Sequence, residues 1–308
     1  MEFGIQVGGD YSLAVTAARW AEKQGLAAYA RADHYLVHTM AGKDAGLYDT
    51  LIILAGLARA TERIELVVLV SPITFRHPSV LAKQSATIDH MSGGRFTLGL
   101  GTGWLEEEHR RFGIPYPPWP ERWERLEEAL RYLRAAFGKA PPGFSGKHYY
   151  LDAKPVEPAP TGDLPLMVGG FGPKRSPYLG GTYADEYNLA LLVPIDDLEI
   201  RIERAREAAV AAGRSPEAVR ISAMGTAIVA SDRTTYRKRL EEGAAYRRMD
   251  PDDLEASFAE CSLPHGTPDQ VAEQMARLAE AGVSRFYLQA IGAWDEELMA
   301  ETFELLGR

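Results

Sequence analysis

Short apolar or β-branched runs alternate along the chain with segments whose apolar residues recur at spacings of three and four. Runs at 3–8, 26–32, 64–71, 95–101, 165–169, 186–191, 220–226 and 285–290 read as strands, each followed by a helical pattern or a helix-start signal. Such alternation calls for parallel strands joined by crossover helices. Eight repeats in 308 residues fit an α/β fold of one domain, residues 1–308, closed as a (β/α)8 TIM barrel. An open doubly wound sheet would need a G-x-G-x-x-G turn after the first strand, and the sequence there reads Gly8-Gly9-Asp10-Tyr11.

Three helices are clearest. Residues 121–137 set Trp123, Leu126, Leu130, Leu133 and Phe137 on one stripe, with Gly138 free to take a left-handed stop. Residues 11–24 turn Leu13, Ala17, Trp20 and Ala21 to one face and stop at Gly25. Residues 267–281 open on Thr267-Pro268-Asp269-Gln270, a capping box with proline at the first helical position, and end at Gly282. Between the fourth helix and the fifth strand, residues 138–164 carry five prolines, with Gly143 and Gly162 among the residues that prevent a long regular element. They predict an insertion with a short extended piece near Tyr149. Residues 244–266 predict a second irregular stretch with a short helix from about Asp252 to Glu260.

Composition narrows the function. The net charge of −9 argues against nucleic acid or an acidic membrane surface as the partner. Cys261 stands alone and no metal-ligand spacing occurs, so neither a disulfide nor a bound metal is expected. No run approaches the roughly 18 apolar residues of a membrane span, and the chain is expected in the cytoplasm.

In a barrel, chemistry gathers where strands end and lead into helices. The second strand ends in Arg31-Ala32-Asp33-His34-Tyr35, where an imidazole could exchange a proton near neutral pH. The third strand breaks at Val70-Ser71-Pro72, too proline-rich to continue a ladder. The fourth ends in Gly99-Leu100-Gly101-Thr102-Gly103-Trp104, where bare backbone can approach a flat ligand. The fifth runs into Val168-Gly169-Gly170-Phe171-Gly172-Pro173-Lys174-Arg175, a glycine turn at a helix start that suits a phosphate. An ordinary strand-to-helix turn explains each glycine run equally well when it is taken alone.

Taken in order, these strings resemble the luciferase-like flavin-dependent superfamily from the first strand to the last helix. Asp33-His34, Phe75-Arg76-His77-Pro78, Ser92-Gly93-Gly94-Arg95, Glu108-His109, Val168-Gly169-Gly170, Tyr183-Ala184-Asp185 and Gly266-Thr267-Pro268 carry the match. The runs Phe75 to Lys83 and Gly169 to Arg175 are most similar to the oxidoreductases that use the deazaflavin coenzyme F-420. The resemblance implies a deazaflavin across the barrel mouth, backed by a bulge at Leu69 to Ser71 with a cis peptide near Val70. Thr102 and Gly103 would then meet its pyrimidine side, and the amides of Gly169 to Gly172, with Val168 before them, would hold its phosphate. His34 would exchange a proton with substrate while a hydride crosses, and Asp33 would orient the ring. Trp104 stands where the sugar-phosphate dehydrogenases of the superfamily carry a glutamate. The residues Tyr35, Trp104 and Leu192 therefore point to a less polar small molecule: an alcohol, ketone or activated alkene. An FMN-dependent monooxygenase fits the same glycine sites, as does a barrel that binds a flavin without catalysis. The resemblance also implies a homodimer.

Overall fold

A computed structural model of the chain describes residues 1–38, 44–154, 156–170, 172–290 and 294–307. Eight parallel strands form a closed barrel: β1 (Glu2–Gln6), β2 (Ala28–Arg31), β3 (Glu65–Pro72), β4 (Phe96–Gly101), β5 (Leu166–Gly169), β6 (Glu186–Ala190), β7 (Arg220–Gly225) and β8 (Arg285–Gln289). Around the ring the order is β1-β8-β7-β6-β5-β4-β3-β2, so every strand lies beside its sequence neighbour. The helices are α1 (Tyr11–Lys23), α2 (Thr50–Ala60), α3 (Pro78–Ser92), α4 (Glu106–Phe112), α5 (Trp119–Ala136), α6 (Arg175–Tyr183), α7 (Ile195–Ala211), α8 (Arg233–Arg247), α9 (Pro251–Glu260), α10 (Pro268–Glu280) and α11 (Glu296–Leu305).

Strand parity sorts the core into two layers, because successive side chains point to opposite faces of a sheet. Ala28, Ala30, Val67, Leu69, Met167 and Tyr287 face inward and fill the barrel. Tyr29, Leu66, Val68, Leu166 and Val168 face outward, into the larger layer beneath the helices. Gly4 makes room for Tyr287: a Cβ there would lie 2.9 Å from the tyrosine ring. The amino-terminal end of the barrel is closed by charge. Arg285 reaches Glu2 and Glu65 at 2.8 Å and Glu186 at 3.5 Å, and the Tyr287 hydroxyl donates to Glu186. These pairings belong to the face that serves stability.

Local chemistry fixes the helix ends. Asp10 caps α1 by accepting from the Leu13 amide, and Gly93, at φ 71°, ends α3 in the left-handed region. The Thr267–Gln270 capping box opens α10. Residues 138–164 hold an antiparallel pair, Phe144–Ser145 with Tyr150–Leu151, anchored where Glu128 of α5 accepts from the amides of Lys147, His148 and Tyr149. The expected irregularity from 244 to 266 begins later than the sequence implied. Helix α8 runs on to Arg247, and within it Gly243 makes room for Ile228, whose side chain would lie 3.1 Å from a Cβ there. Among the described residues no helix is long and apolar enough to cross a membrane.

Candidate active site

A hollow of about 690 Å3 opens at the carboxyl ends of the strands, and every strand contributes to it. Gln6, Arg31, Leu69, Gly101, Gly169, Asn188, Met224 and Gln289 line it in chain order, with Trp104, Trp119 and Trp123 on one flank. A larger depression of about 1180 Å3 lies at the opposite end, among Glu65, Glu186, Arg220 and Ser284. Its strand carboxylates are tied to Arg285, as described above. It belongs to the closed amino-terminal face and not to the barrel mouth.

One wall of the hollow is built around Val70. The ladder between β3 and β4 shifts register between Val68 and Ser71, and the Leu69–Val70 peptide is cis, as the resemblance implied. The Val70 methyls fit against three glycines: a Cβ on Gly99, Gly101 or Gly169 would come within 2.9 Å of them. The backbone beyond β4 is fixed from the side. Gly103 sits at φ 76°, and Arg122, stacked over Tyr116 at 4.0 Å and Trp119 at 4.6 Å, donates to its carbonyl. The His109 tautomer follows from its two partners: Nδ1 donates to Leu105 O at 2.8 Å, and Nε2 accepts from the Thr74 hydroxyl at 2.7 Å.

His34 lines the hollow with its ring edge-on to Trp104, the centroids 5.5 Å apart. Its Nδ1 meets Glu108 Oε1 at 2.9 Å. Glu108 is fully buried on α4, and its other oxygen accepts from the backbone amides of Tyr35 at 3.0 Å and Leu36 at 3.4 Å. A carboxylate can only accept, so Nδ1 carries a proton, and in the neutral ring Nε2 keeps its lone pair. The ring is therefore oriented by Glu108, and not by Asp33 as the sequence suggested. Asp33, also fully buried, accepts from the Ser71 hydroxyl at 2.6 Å and pairs with Arg76, which reaches on to Asp49 at the start of α2. Burial alone would lower the Arg76 pKa, but Asp33 and Asp49 hold it above the usual arginine range. The cluster ties the ends of β2 and β3 to α2.

Several expected residues share this hollow: His34, Val70, Thr102, Gly103, Trp104, Gly169 and Gly170 all line it. Others do not. Ser71 is spent on Asp33, and Tyr35 stacks on Phe75 at 4.5 Å instead of facing the hollow. Leu192 is 57% exposed outside it. The Val168 side chain points into the helix layer, and Gly172 lies against Trp123, where a Cβ would come within 3.0 Å. Phe171 lies outside the described residues. At the turn beyond β5, no side chain caps the first turn of α6, and the buried Ser176 hydroxyl beneath it makes no hydrogen bond. Such a helix start can accept an anion. Sequence reasoning assigned no role to Glu108, although Glu108-His109 stood within a recognised string.

Comparison with known proteins agrees with this architecture. A family model for luciferase-like monooxygenases matches residues 4–285. A pyrimidine monooxygenase, RutA, of Pseudomonas syringae pv. syringae is 33% identical over 128 residues, which is 40% of this chain and 34% of that protein. The match thus spans about a third of that relative's length. The monooxygenase RslO1 of Streptomyces bottropensis superposes with a TM-score of 0.82 at 23% identity, covering 99% of this chain and 97% of that one. An F-420-dependent secondary alcohol dehydrogenase, in complex with an F-420–acetone adduct, gives 0.81 at 21% identity, covering 100% and 99%.

Proposed function

Because the chain belongs to the luciferase-like monooxygenase family, we propose that it is an oxidoreductase exchanging a hydride between coenzyme F-420 and a small alcohol, ketone or activated alkene. The observation that carries the reading is one hollow that holds both an imidazole with a free Nε2 and a wall of bare backbone. The residues suit a planar tricycle. Gly101, Gly103, Gly169 and Gly170 present no side chain, and a Cβ on Gly101 would meet Val70 at 2.9 Å and Gly169 O at 3.2 Å. The uncapped start of α6 and the amides of Gly169, Gly170 and Gly172 would hold the phosphate. Bound there, the deazaflavin would supply the hydride chemistry.

The protein's own part is to manage the proton. Glu108 keeps His34 Nδ1 protonated, so Nε2 is free to take a proton from a substrate hydroxyl as it is oxidised. In reduction the protonated Nε2 returns it to the carbonyl oxygen. Trp104 covers one edge of the ring and limits water on that side. Asp33 and Arg76 act at one remove, holding the strand ends from which His34 projects.

A second reading is favoured by the pyrimidine monooxygenase match: reduced FMN acting with oxygen in the same hollow. Titrating the purified protein with F-420 and with FMN separates the two. We expect F-420 to bind more tightly and its oxidised absorbance to bleach when an alcohol is added. Tighter FMN binding together with oxygen consumption would overturn the F-420 reading. A cytoplasmic homodimer acting on a small molecule belongs to the same proposal, and light scattering measures the assembly.

A further inference from the structure

The hollow has a polar pole opposite its glycine wall. In a ring of eight strands β5 stands across from β1, and β1 is flanked by β2 and β8. Gln6 ends β1, Arg31 ends β2 and Trp294 follows β8, and all three line the hollow. Each carries a buried polar atom with no hydrogen-bond partner: Gln6 Oε1, Arg31 Nε and Trp294 Nε1. The Gln6 amide cannot be turned to hide this. Its Nε2 donates to Leu69 O at 2.8 Å, and a flip would set two oxygens face to face.

Arg31 is the decisive group. It is 2% exposed, and its terminal nitrogens donate to the carbonyls of Val7 and Gly9. Among the described residues no carboxylate pairs with it. Among the described residues that line the hollow it is also the only Asp, Glu, Lys or Arg. A guanidinium stays charged at any relevant pH, and a buried charge is strongly disfavoured until it meets a counter-charge. Two carbonyl dipoles offset part of that cost and leave a net positive centre. The surrounding walls, Leu69, Val70, Met224 and the tryptophans, are apolar, so the attraction for an anion is poorly screened.

We infer that the substrate of this site carries a carboxylate, read at the β1–β2–β8 pole by Arg31 and Trp294. The unused donors of Arg31 and Trp294 stand on β2 and just beyond β8, the two strands that flank β1, so an anion at this pole is met from both sides, and Gln6 Oε1 between them accepts from a hydroxyl or N–H beside it. The inference rests on reading the hollow as a substrate site, and it narrows the substrate to an acidic molecule whose reacting carbon lies between this pole and His34.

Benzoate and benzamide, equal in shape and different in charge, are the probes. Calorimetric titration of the full chain should give benzoate about a tenfold advantage, which falls as salt is added. Arg31→Met should abolish that advantage, and Trp294→Phe, which leaves the Val7 and Gly9 contacts alone, should reduce it. Equal binding of the two probes to the unaltered protein overturns the inference, as does a benzoate preference that survives in folded Arg31→Met. If Arg31→Met does not fold, an unchanged preference in Trp294→Phe overturns it. F-420 and FMN titrations on the same samples keep the two readings apart. Loss of all cofactor binding with the benzoate preference intact defeats the proposed activity and leaves the anion pole standing.

Discussion

The most informative perturbation is Glu108→Gln. The backbone amides of Tyr35 and Leu36 require an oxygen opposite them, so the new carboxamide must set its carbonyl there and turn its NH2 toward His34 Nδ1. Nδ1 must then accept, the ring proton moves to Nε2, and the lone pair that faces the substrate is lost. Positioned acid–base groups contribute about 10²–10⁴ in rate, so kcat for alcohol oxidation should fall by about that factor, or about 3–5 kcal/mol of barrier. Stability should change little, by about 1–2 kcal/mol, because both amides keep an acceptor. Glu108→Ala would instead strand three buried donors and should cost about 3 kcal/mol or more. Single-turnover absorbance of the deazaflavin measures the rate, thermal melting measures stability, and the ¹⁵N shifts of the imidazole report the tautomer. A Gln variant with undiminished turnover, or with its ring proton still on Nδ1, would refute the reasoning.

Three further outcomes follow from the same geometry. Gly169→Ala places a methyl 2.9 Å from Val70 Cγ1, and overpacking of about 1–3 kcal/mol should weaken cofactor binding about tenfold or more. Unchanged titration curves would argue against a ligand on that wall. Asp33→Asn leaves Arg76 without its buried partner and should cost about 3–5 kcal/mol of stability. An unaltered melting temperature would show that the pair is not structural. Burial would raise the Asp185 pKa, but Arg134, the Leu166 amide and Lys139 outweigh it and hold the pKa below the usual aspartate value. A depressed folded pKa stabilises the fold above the unfolded pKa, and that stability is lost as pH falls through the folded value. Asp185→Asn should therefore melt lower than the parent at neutral pH, with the gap closing below about pH 4. A gap that persists in strong acid would contradict this.

The barrel was legible because strand and helix periods differ and because glycine, proline and capping residues punctuate them. The extended runs predicted at 26–32 and 220–226 became β2 and β7 with only their ends trimmed. The mouth was legible from topology alone, which brought together His34 and Gly169, 135 positions apart in the chain. Partner choice was not. Glu108 lies 74 residues from His34, and Arg76 lies 43 from Asp33. Nothing local in the chain says which carboxylate turns toward which base. Adjacency favoured Asp33 as the orienting group, whereas burial and strand-end geometry gave that role to Glu108. Val168 illustrates a different limit: a two-residue period shows that it and Gly169 face opposite ways, but only the closed ring shows which of them faces the ligand.

One valine packs against three glycines on two other strands, and this sets which of those positions can change. A methyl gained at 169 meets only Val70, so a smaller residue at 70 would free space for it, whereas a methyl at 99 would still stand 2.1 Å from the backbone oxygen of Val68 and one at 101 would still stand 3.2 Å from that of Gly169. Homologues should therefore trade volume between positions 70 and 169 while 99 stays glycine, and a reshaped cofactor shelf would be reached by paired substitutions in which position 70 yields first.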